Sequence, residues 1–295
     1  MVGATTKRTG DLIFAGNTPF PLIPRQRFVC HSEKELQRLS RQGQVIGPFT
    51  RQLFEEGGIN QGMRVLDVGC GSGDIAFLAA NLVGFSGEVV GVDRERKAVE
   101  WATARAHSHG MTNVKFLEGD PAEMEFDRQF DAIVGRLVLM YYPDPVDAIR
   151  KLMRHVRPEG LIVFQELDMA NARSWPVAPL FERSLTWMKQ TLTATGARLQ
   201  LGLELYPVFL AAGLPGPLMR MDALIGGGPQ CAAFEVVAEV IRSLLPVMEK
   251  LNIASAAEVG ISTLAQRMRD EVIALKGVVL SAGFVGAWSR KRDSD

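Results

Sequence analysis

The chain has 295 residues, of which 47% are hydrophobic and 22% charged, so it can form one large domain or a core domain with an appended lid. Lysine plus arginine equals aspartate plus glutamate at 33 each, which argues against a basic field that would attract nucleic acid or an anionic membrane surface. Three scattered cysteines without a CxxC pair disfavour a structural zinc site and are typical of a reducing, cytoplasmic compartment. We therefore expect no metal and no nucleic-acid partner.

Residues 1–58 read as an irregular lead-in followed by a helical segment. Pro19, Pro21 and Pro24 are too closely spaced for a helix, and the apolar run LIFAG at 12–16 is too short for a signal peptide. No window reaches the roughly 18 to 20 apolar residues that a membrane span needs, so no membrane partner is expected. Ser32 and Glu35 form a capping-box start.

The helical segment that follows Ser32 carries apolar residues at amphipathic spacing. It also contains Gly43, Gly47 and Pro48. These residues predict that the segment is kinked or divided into a pair of helices.

From Met63 onward, short apolar runs alternate with helical stretches. The runs are RVLDVG (64–69), GEVVGVD (87–93), NVKFLEGD (113–120), FDAIVGRLV (130–138) and GLIVFQE (160–166). Helical stretches begin near Asp74, Arg96, Ala122 and Pro145. Continuous apolar strands that alternate with helices predict an α/β fold with a doubly wound, mostly parallel sheet, and we assign residues 59–167 to this core.

After Glu166 this alternation stops, and residues 168–295 form the third predicted part. Residues 178–194 predict a helix, 217–227 a strand, and GVVLSAGFVGAWSRK a closing strand. Between the last two lies a Leu-, Val- and Met-rich helical insertion of about fifty residues. We expect this insertion and residues 175–195 to form a cap over an apolar cavity; a packing or dimer surface is the alternative.

The turn after the first strand, VLDVGCGSGD, does not fit the dinucleotide fingerprint GxGxxG. Gly69, Gly71 and Gly73 give GxGxG, and Asp74 stands where the third glycine would be. Asp67 precedes the turn, and a carboxylate would repel a pyrophosphate. The loop contains no lysine to grip a phosphate, so a P-loop is also disfavoured.

Acidic residues lie at the ends of three successive predicted strands: Asp67, Asp93 and Asp120. Three carboxylates at one sheet edge suit a cationic ligand with hydroxyl and amino donors, and S-adenosylmethionine is such a ligand. Asp93 lies 20 residues after Gly73, the usual spacing to a ribose-binding acid. The alternatives are a tight turn alone for the glycines, a helix N-cap for Asp93 and a turn residue for Asp120.

The same stretches resemble the class I S-adenosylmethionine-dependent methyltransferases. The matching motifs are VLDVGCGSG (65–73), VVGVD (89–93), FLEGDPAEM (116–124), FDAIVGRLVLMYYPDP (130–145) and VRPEGLIVFQE (156–166). Within the class, residues 130–145 look most like bacterial small-molecule enzymes related to the quinone-biosynthesis group. The resemblance implies a Rossmann-like, seven-stranded sheet whose last two strands are antiparallel.

The resemblance also implies the roles of the residues that would bind the cofactor. The turn with Gly69, Cys70, Gly71 and Gly73 would border the methionine moiety, with Asp67 before it. Asp93 would hold the ribose, and Arg94 would lie beside the adenine. Asp120, between Gly119 and Pro121, would bond the adenine amine. Cys70 also fits as a small side chain in a crowded loop.

Candidates for the acceptor side follow the fourth and fifth strands. Arg136 would bind the methionine carboxylate or an anionic acceptor, or pair with Glu166. Tyr141 would line the acceptor site or simply pack under the lid. Glu166 would act as a general base or be an ordinary exposed carboxylate at a strand end. His31 is the histidine expected near the pocket, whereas His107, His109 and His155 are expected at the surface.

These observations predict methyl transfer to a small, largely apolar metabolite by displacement at the sulfonium, which needs proximity more than a base. A fold relative that binds the cofactor but catalyses a cyclisation, or only binds, is the alternative. A homodimer is left open.

Overall fold

The fold is that of a computed structural model, which describes residues 33–293, so Cys30, His31 and the Ser32 cap lie outside the described residues. The helices are α1 (Glu33–Gly57), α2 (Asp74–Val83), α3 (Arg96–Ser108), α4 (Pro145–Met153), α5 (Pro179–Ala194), α6 (Leu201–Ala212), α7 (Ala233–Lys250), α8 (Ala256–Val259) and α9 (Leu264–Ala274). The strands are β1 (Arg64–Val68), β2 (Glu88–Asp93), β3 (Val114–Glu118), β4 (Phe130–Arg136), β5 (Val156–Asp168), β6 (Arg173–Trp175), β7 (Leu218–Asp222), β8 (Ile225–Gly226), β9 (Val278–Leu280) and β10 (Gly283–Arg290).

A seven-stranded sheet in the order β3-β2-β1-β4-β5-β10-β7 organises the molecule. The first five strands in this order are parallel, while β10 runs antiparallel to both β5 and β7. Every residue of β1 is buried, which is why its sequence is continuously apolar except at Arg64 and Asp67. The predicted doubly wound, mostly parallel sheet is confirmed, and so is its antiparallel final pair.

Two hydrophobic layers cover the faces of this sheet. Helices α1 and α2 pack on one face through residues such as Leu53, Phe54 and Ala79. Helices α4 and α6 pack on the other face through residues such as Ile149 and Leu205. β1 and β4 are parallel neighbours, and the helices that follow them, α2 and α4, pack on opposite faces, so the carboxyl ends of these two strands border one open crevice.

Helix α4 shows how local sequence fixes an element. The Asp144 carboxylate accepts the backbone N–H groups of Val146 and Asp147 at 2.9 and 3.1 Å, which caps the helix. Pro145 occupies the first turn, where no N–H is needed. The helix therefore begins directly after the segment that lies across the carboxyl edge of the sheet.

A third cluster of buried residues forms the cap. It joins α5, α7 and α9 through Phe181, Phe234, Met268 and their neighbours, and a small sheet in the order β6-β9-β8 closes one side. No helix within residues 33–293 is long and apolar enough to cross a membrane.

Four predictions about elements are wrong. The N-terminal helical pair is the single helix α1, which keeps Pro48 inside it while Ile46 and Leu53 are buried. The helix expected near Ala122 is only a turn, because the Asp120 side chain accepts the Ala122 N–H and reverses the chain. The strands expected at 217–227 and at the C-terminal end are each divided, since β8 and β9 pair within the cap.

Gly286 of β10 provides a test of how α1 packs on the sheet. A Cβ built on Gly286 would lie 2.4 Å from Leu53 Cδ1, and Leu53 is completely buried and has little room to move. We expect Gly286→Ala to lower the free energy of unfolding by about 1–3 kcal/mol in urea denaturation.

Gly228→Ala is the matched control for this substitution. A Cβ at Gly228 would meet nothing within 4 Å, so its effect should stay within about 0.5 kcal/mol. Adding Leu53→Ala removes the clashing atoms, so the Gly286→Ala cost should shrink in that background. Equal costs in both backgrounds would show that overpacking is not the cause.

Candidate active site

The turn between β1 and α2 is built from glycines in left-handed backbone conformations. Gly69 has φ +67° and Gly73 has φ +86°, values that side chains other than glycine rarely adopt. A Cβ on Gly69 would also lie 2.5 Å from the Val138 side chain. The turn therefore brings bare backbone to the carboxyl edge of the sheet, as a ligand-cradling loop requires.

Asp93 at the end of β2 holds this turn. One carboxylate oxygen accepts the Gly71 N–H and the other accepts the Glu95 N–H, each at 2.9 Å. The N-cap position of α3 belongs to Glu95, so Asp93 is not the helix cap that its sequence position also allowed. Asp93 lines the cavity described below with one lone pair on each oxygen still available.

Asp67 lies beneath the turn and does not line the cavity. It is 1% exposed, and its Oδ2 has no hydrogen-bond partner. Burial raises the pKa of Asp67 well above its usual range; the positive charge of Arg136 opposes this and the nearby Asp93 adds to it. A positive charge close to the turn would therefore stabilise the ionised form of Asp67.

Cys70 does line the cavity, but its thiol is poorly suited to chemistry. Burial raises its pKa well above the usual value, and the charges of Asp67 and Asp93 raise it further. The thiolate is thus disfavoured, which fits a small side chain packed in a crowded loop.

The Asp120 carboxylate makes its ion pair and hydrogen bonds to other groups of the protein. Its carboxylate forms an ion pair with Arg94 and accepts the Tyr142 hydroxyl at 3.1 Å and the Ala122 N–H at 3.0 Å. The local contacts of Asp120 therefore agree with its interpretation as a turn residue. The cavity is lined instead by its neighbours Arg94, Gly119, Pro121 and Tyr142.

Tyr142 was not among the predicted site residues. The Arg94 guanidinium lies 5.0 Å from its ring centroid. Burial and the Asp120 charge raise the pKa of its hydroxyl, so the phenol stays protonated and serves as a donor. Its position directly after Tyr141 was the only signal that sequence offered.

Arg136 at the end of β4 lines the cavity and does not pair with Glu166. Its Nη1 donates to Thr50 Oγ1 of α1 at 3.2 Å, and it forms no salt bridge within the described part of the chain. Burial lowers its pKa to about 10, while the charges of Asp74 and Asp67 oppose that shift. At neutral pH the guanidinium is a cation that faces the cavity.

Glu166 is not the exposed strand-end carboxylate that its position in the sequence also allowed. It is fully buried, and its Oε1 accepts the Val138 and Leu139 N–H groups at 3.0 and 2.8 Å. It does not line the cavity. Its carboxylate instead holds the segment after β4, which begins with Leu137 at φ +54° and forms a 3-10 turn over Leu139–Tyr141.

The histidines supply no acid-base group to the described part of the site. His31 lies outside the described residues, and His107 and His109 are exposed as expected. His155 is buried, so its predicted surface position is wrong; its Nε2 lies 3.1 Å from the Pro121 carbonyl oxygen. No group of three or more metal-ligating side chains in residues 33–293 is arranged to hold a metal ion.

One cavity of about 1310 Å³ connects the sheet edge with the cap. The glycine turn, Asp93, Arg94 and Arg136 line its first end at the sheet edge, and Tyr141 also lines the cavity. The second end is lined mainly by apolar side chains, which come from the end of β5, from α5 and α7, and from the neighbouring loops: Leu167, Met169, Leu185, Met188, Leu192, Leu224, Val236, Val237, Val240, Leu244, Val247, Ala282 and Phe284. The cap thus covers the open edge of the sheet.

Comparison with known proteins identifies the family. A profile described as a methyltransferase domain matches residues 59–212, which is more than half of the chain. The chain belongs to this family. The predicted class I S-adenosylmethionine-dependent methyltransferase family, and with it the cofactor of that class, is confirmed.

Individual relatives agree with this methyltransferase fold. A demethylmenaquinone methyltransferase of Staphylococcus aureus (strain MRSA252) is 32% identical over 136 residues, which cover 46% of this chain and 53% of the relative. The chain thus spans about half the length of the curated relatives it matches. The structure of the [4+2]-cyclase SpnF is 20% identical with a TM-score of 0.54 and covers 85% of this chain and 82% of its own. The YcgJ protein of Bacillus subtilis is 18% identical with a TM-score of 0.54, covering 82% and 97%. At these identities the two structures show the fold alone.

The buried Glu166 gives this methyltransferase a testable pH dependence. Burial raises the pKa of Glu166 to about 7 from the ordinary value of 4.5. The native state therefore binds more protons than the unfolded state between these values, so stability falls as pH rises through this window. Glu166→Gln keeps a carbonyl oxygen as acceptor, and it should flatten that part of the pH profile.

Glu166→Leu tests the two hydrogen bonds themselves. It leaves the buried Leu139 N–H and the part-buried Val138 N–H unpaired, at a cost in free energy of unfolding of about 1–3 kcal/mol for Leu139 and less for Val138. Chemical denaturation at several pH values measures both variants. A Gln variant as unstable as the Leu variant would show that the carboxylate does not act as an acceptor for this segment.

Proposed function

We propose that this chain transfers the methyl group of S-adenosylmethionine to a small, largely apolar acceptor. The observation that carries the proposal is the single cavity in which a glycine turn with an acidic wall faces an apolar cap. A polar cofactor end joined to an apolar acceptor end is the arrangement that methyl transfer between two bound molecules requires.

The residues of the first end fit an adenosyl ligand. Asp93 would take both ribose hydroxyls, because each of its oxygens has spent only one lone pair on a backbone N–H. Arg94, Gly119 and Pro121 would border the adenine, with Asp120 paired to Arg94 behind them. No lysine is among the described residues that line the cavity, which fits a ligand without phosphate.

The amino-acid end of the cofactor would lie between the glycine turn and Arg136. The guanidinium would bind the carboxylate, since it is a cavity-facing cation with no acidic partner in the described residues. The unpartnered carboxylate oxygen of Asp67 beneath the turn favours positive charge nearby.

The cofactor supplies a methyl group on a sulfonium, which is already an activated leaving group. The work left to the protein is to place the nucleophile in line and to exclude water. Helices α5 and α7 serve both purposes, because Met188, Leu192 and Val240 line the second end of the cavity, which we call the acceptor compartment. Tyr141, which lines the same cavity, would contact the acceptor.

The direct test is transfer of labelled methyl to candidate phenols, amines and quinols. A labelled small-molecule product establishes the proposal. Tight cofactor binding without label in any acceptor would favour the alternative, a protein that keeps the cofactor but performs a cyclisation or only binds. Binding of a nicotinamide dinucleotide in preference to the adenosyl ligand would overturn both.

Val240→Trp tests the cap compartment separately from the cofactor end. An indole there would fill space that the acceptor needs, so we expect kcat/KM for the acceptor to fall at least tenfold, while the affinity for S-adenosylhomocysteine stays within about twofold. Leu203→Trp, at a 54% exposed position on α6, is the control and should change neither quantity. If Val240→Trp lowered the affinity for S-adenosylhomocysteine as much as kcat/KM for the acceptor, Val240 would not belong to the acceptor compartment.

Asp93→Asn tests the ribose contact with a matched pair of ligands. We expect the affinity for S-adenosylhomocysteine to fall about 10- to 100-fold in calorimetry, because a charge-assisted hydrogen bond is replaced by a neutral one. The 2′,3′-dideoxy analogue, which has no diol, should bind the wild type and the variant with similar affinity. A similar loss for both ligands would assign Asp93 to holding the turn only.

A further inference from the structure

Three polar side chains from three different elements form a chain of hydrogen bonds beside the cofactor end of the cavity. Arg136 on β4 and Gln165 on β5 are register partners in the parallel sheet. Thr50 on α1 lies against both of them. Thr50 is completely buried and Gln165 is 1% exposed, so water does not compete for these bonds.

The direction of the hydrogen bonds follows from the chemistry of the three groups. Thr50 Oγ1 donates its single proton to Gln165 Oε1 at 2.7 Å, while the Ile46 carbonyl at 3.4 Å is a more distant acceptor. The hydroxyl oxygen then has lone pairs left, and Arg136 Nη1 donates to it at 3.2 Å. Gln165 therefore fixes the hydroxyl in the orientation that accepts from the guanidinium.

Arg136 needs such a support because, among residues 33–293, no other group is hydrogen-bonded to its guanidinium. A guanidinium has five N–H donors, and the bond to Thr50 is the one side-chain hydrogen bond that Arg136 makes within the described part of the chain. Asp67 and Asp74 act on it electrostatically without a salt bridge to either. A hydroxyl, unlike a carboxylate, holds the group without neutralising it, so its charge stays available to a ligand.

We propose that Thr50, oriented by Gln165, is a positioning residue that aims the Arg136 guanidinium at the carboxylate of the bound cofactor. This inference rests on the proposed function, since it takes S-adenosylmethionine as the ligand. Two parallel N–H groups of a guanidinium recognise a carboxylate only in a fixed plane, so a rotation of Arg136 costs affinity even when its charge is retained.

The contact also couples α1 to the cofactor end of the cavity. Thr50 lies on the same helix as Ile46, which lines the cavity, and α1 also touches the cap helix α7. A ligand that fixes Arg136 stabilises the Arg136–Thr50 bond, and by reciprocity the seating of α1 on the sheet strengthens binding of that ligand.

The test compares two ligands by calorimetry on the full chain. S-adenosylhomocysteine carries the amino-acid carboxylate, whereas 5′-methylthioadenosine keeps the adenosine and the sulfur but lacks it. For Thr50→Val, which keeps the shape and removes the hydroxyl, we expect about tenfold weaker binding of S-adenosylhomocysteine and unchanged binding of 5′-methylthioadenosine. Thr50→Ser, which keeps the hydroxyl, should restore the wild-type ratio of the two affinities.

A double-mutant cycle with Arg136→Met tests whether Thr50 acts through Arg136. In the Arg136→Met background, Thr50→Val should have no further effect on S-adenosylhomocysteine binding. Gln165→Met removes the acceptor of the Thr50 proton and should lower the same affinity selectively, which keeps the test available if Thr50→Val does not fold.

Three outcomes would overturn the inference. Thr50→Val could weaken both ligands equally, which is what a merely structural role predicts, or it could change neither. In the Arg136→Met background, Thr50→Val could also still weaken S-adenosylhomocysteine binding as much as it does in the wild type. Failure of the wild type to bind either ligand is a different result, since it refutes the proposed function itself.

Discussion

The hydrogen bond from the Gly71 backbone to the Asp93 carboxylate is the contact on which the geometry of the site depends. It ties the turn after β1 to the end of β2, so that the left-handed glycine backbone and the acidic wall of the cavity are fixed by one interaction. The geometry is possible because Gly69 has no Cβ that would meet Val138. A ligand that bonds Asp93 therefore meets a turn that is already formed, and preorganisation of this kind reduces the cost of binding.

Buried polar groups at the same edge serve mainly to hold backbone and side chains in place. Glu166 fixes the start of the segment that carries Tyr141, and Thr50 with Gln165 holds Arg136. None of these three side chains lines the cavity, and each acts on it through the residue or segment that it holds. The edge thus combines a layer that faces the ligand with a second layer that orients it, which is the arrangement that precise positioning needs.

The cap adds a second wall to the cavity at the sheet edge. Helices α5 and α7 have their own buried core, yet they also line the cavity opposite the glycine turn. Their contribution is mostly apolar, with Glu239, Arg242 and Ser243 of α7 as the polar exceptions, whereas the sheet edge supplies Asp93, Arg94 and Arg136. The two ends of the cavity therefore differ in chemical character. The Staphylococcus aureus relative covers 46% of this chain, so its acceptor is not carried over to this protein.

How much of the candidate site can be predicted from sequence depends on how far apart in the chain the interacting residues are. The glycine turn and Asp93 were predictable, because their roles come from backbone conformation and from the spacing of neighbouring strands. The burial of Glu166 was not, since an acid at a strand end is exposed or buried according to which segment folds over it. Tyr142 stood next to a predicted residue, but only the fold shows that its hydroxyl reaches Asp120.

The sequence by itself determined the doubly wound sheet, the glycine turn and the family, because strand and helix periodicity and the need for glycine are written in short local patterns. Only the tertiary structure decided that Asp67 lies beneath the turn while Asp93 faces the cavity, and that Thr50 meets Gln165, 115 residues away. The physical reason is that hydrogen-bond partners and burial are set by the packing of distant elements. Patterns of a few residues do not carry that information.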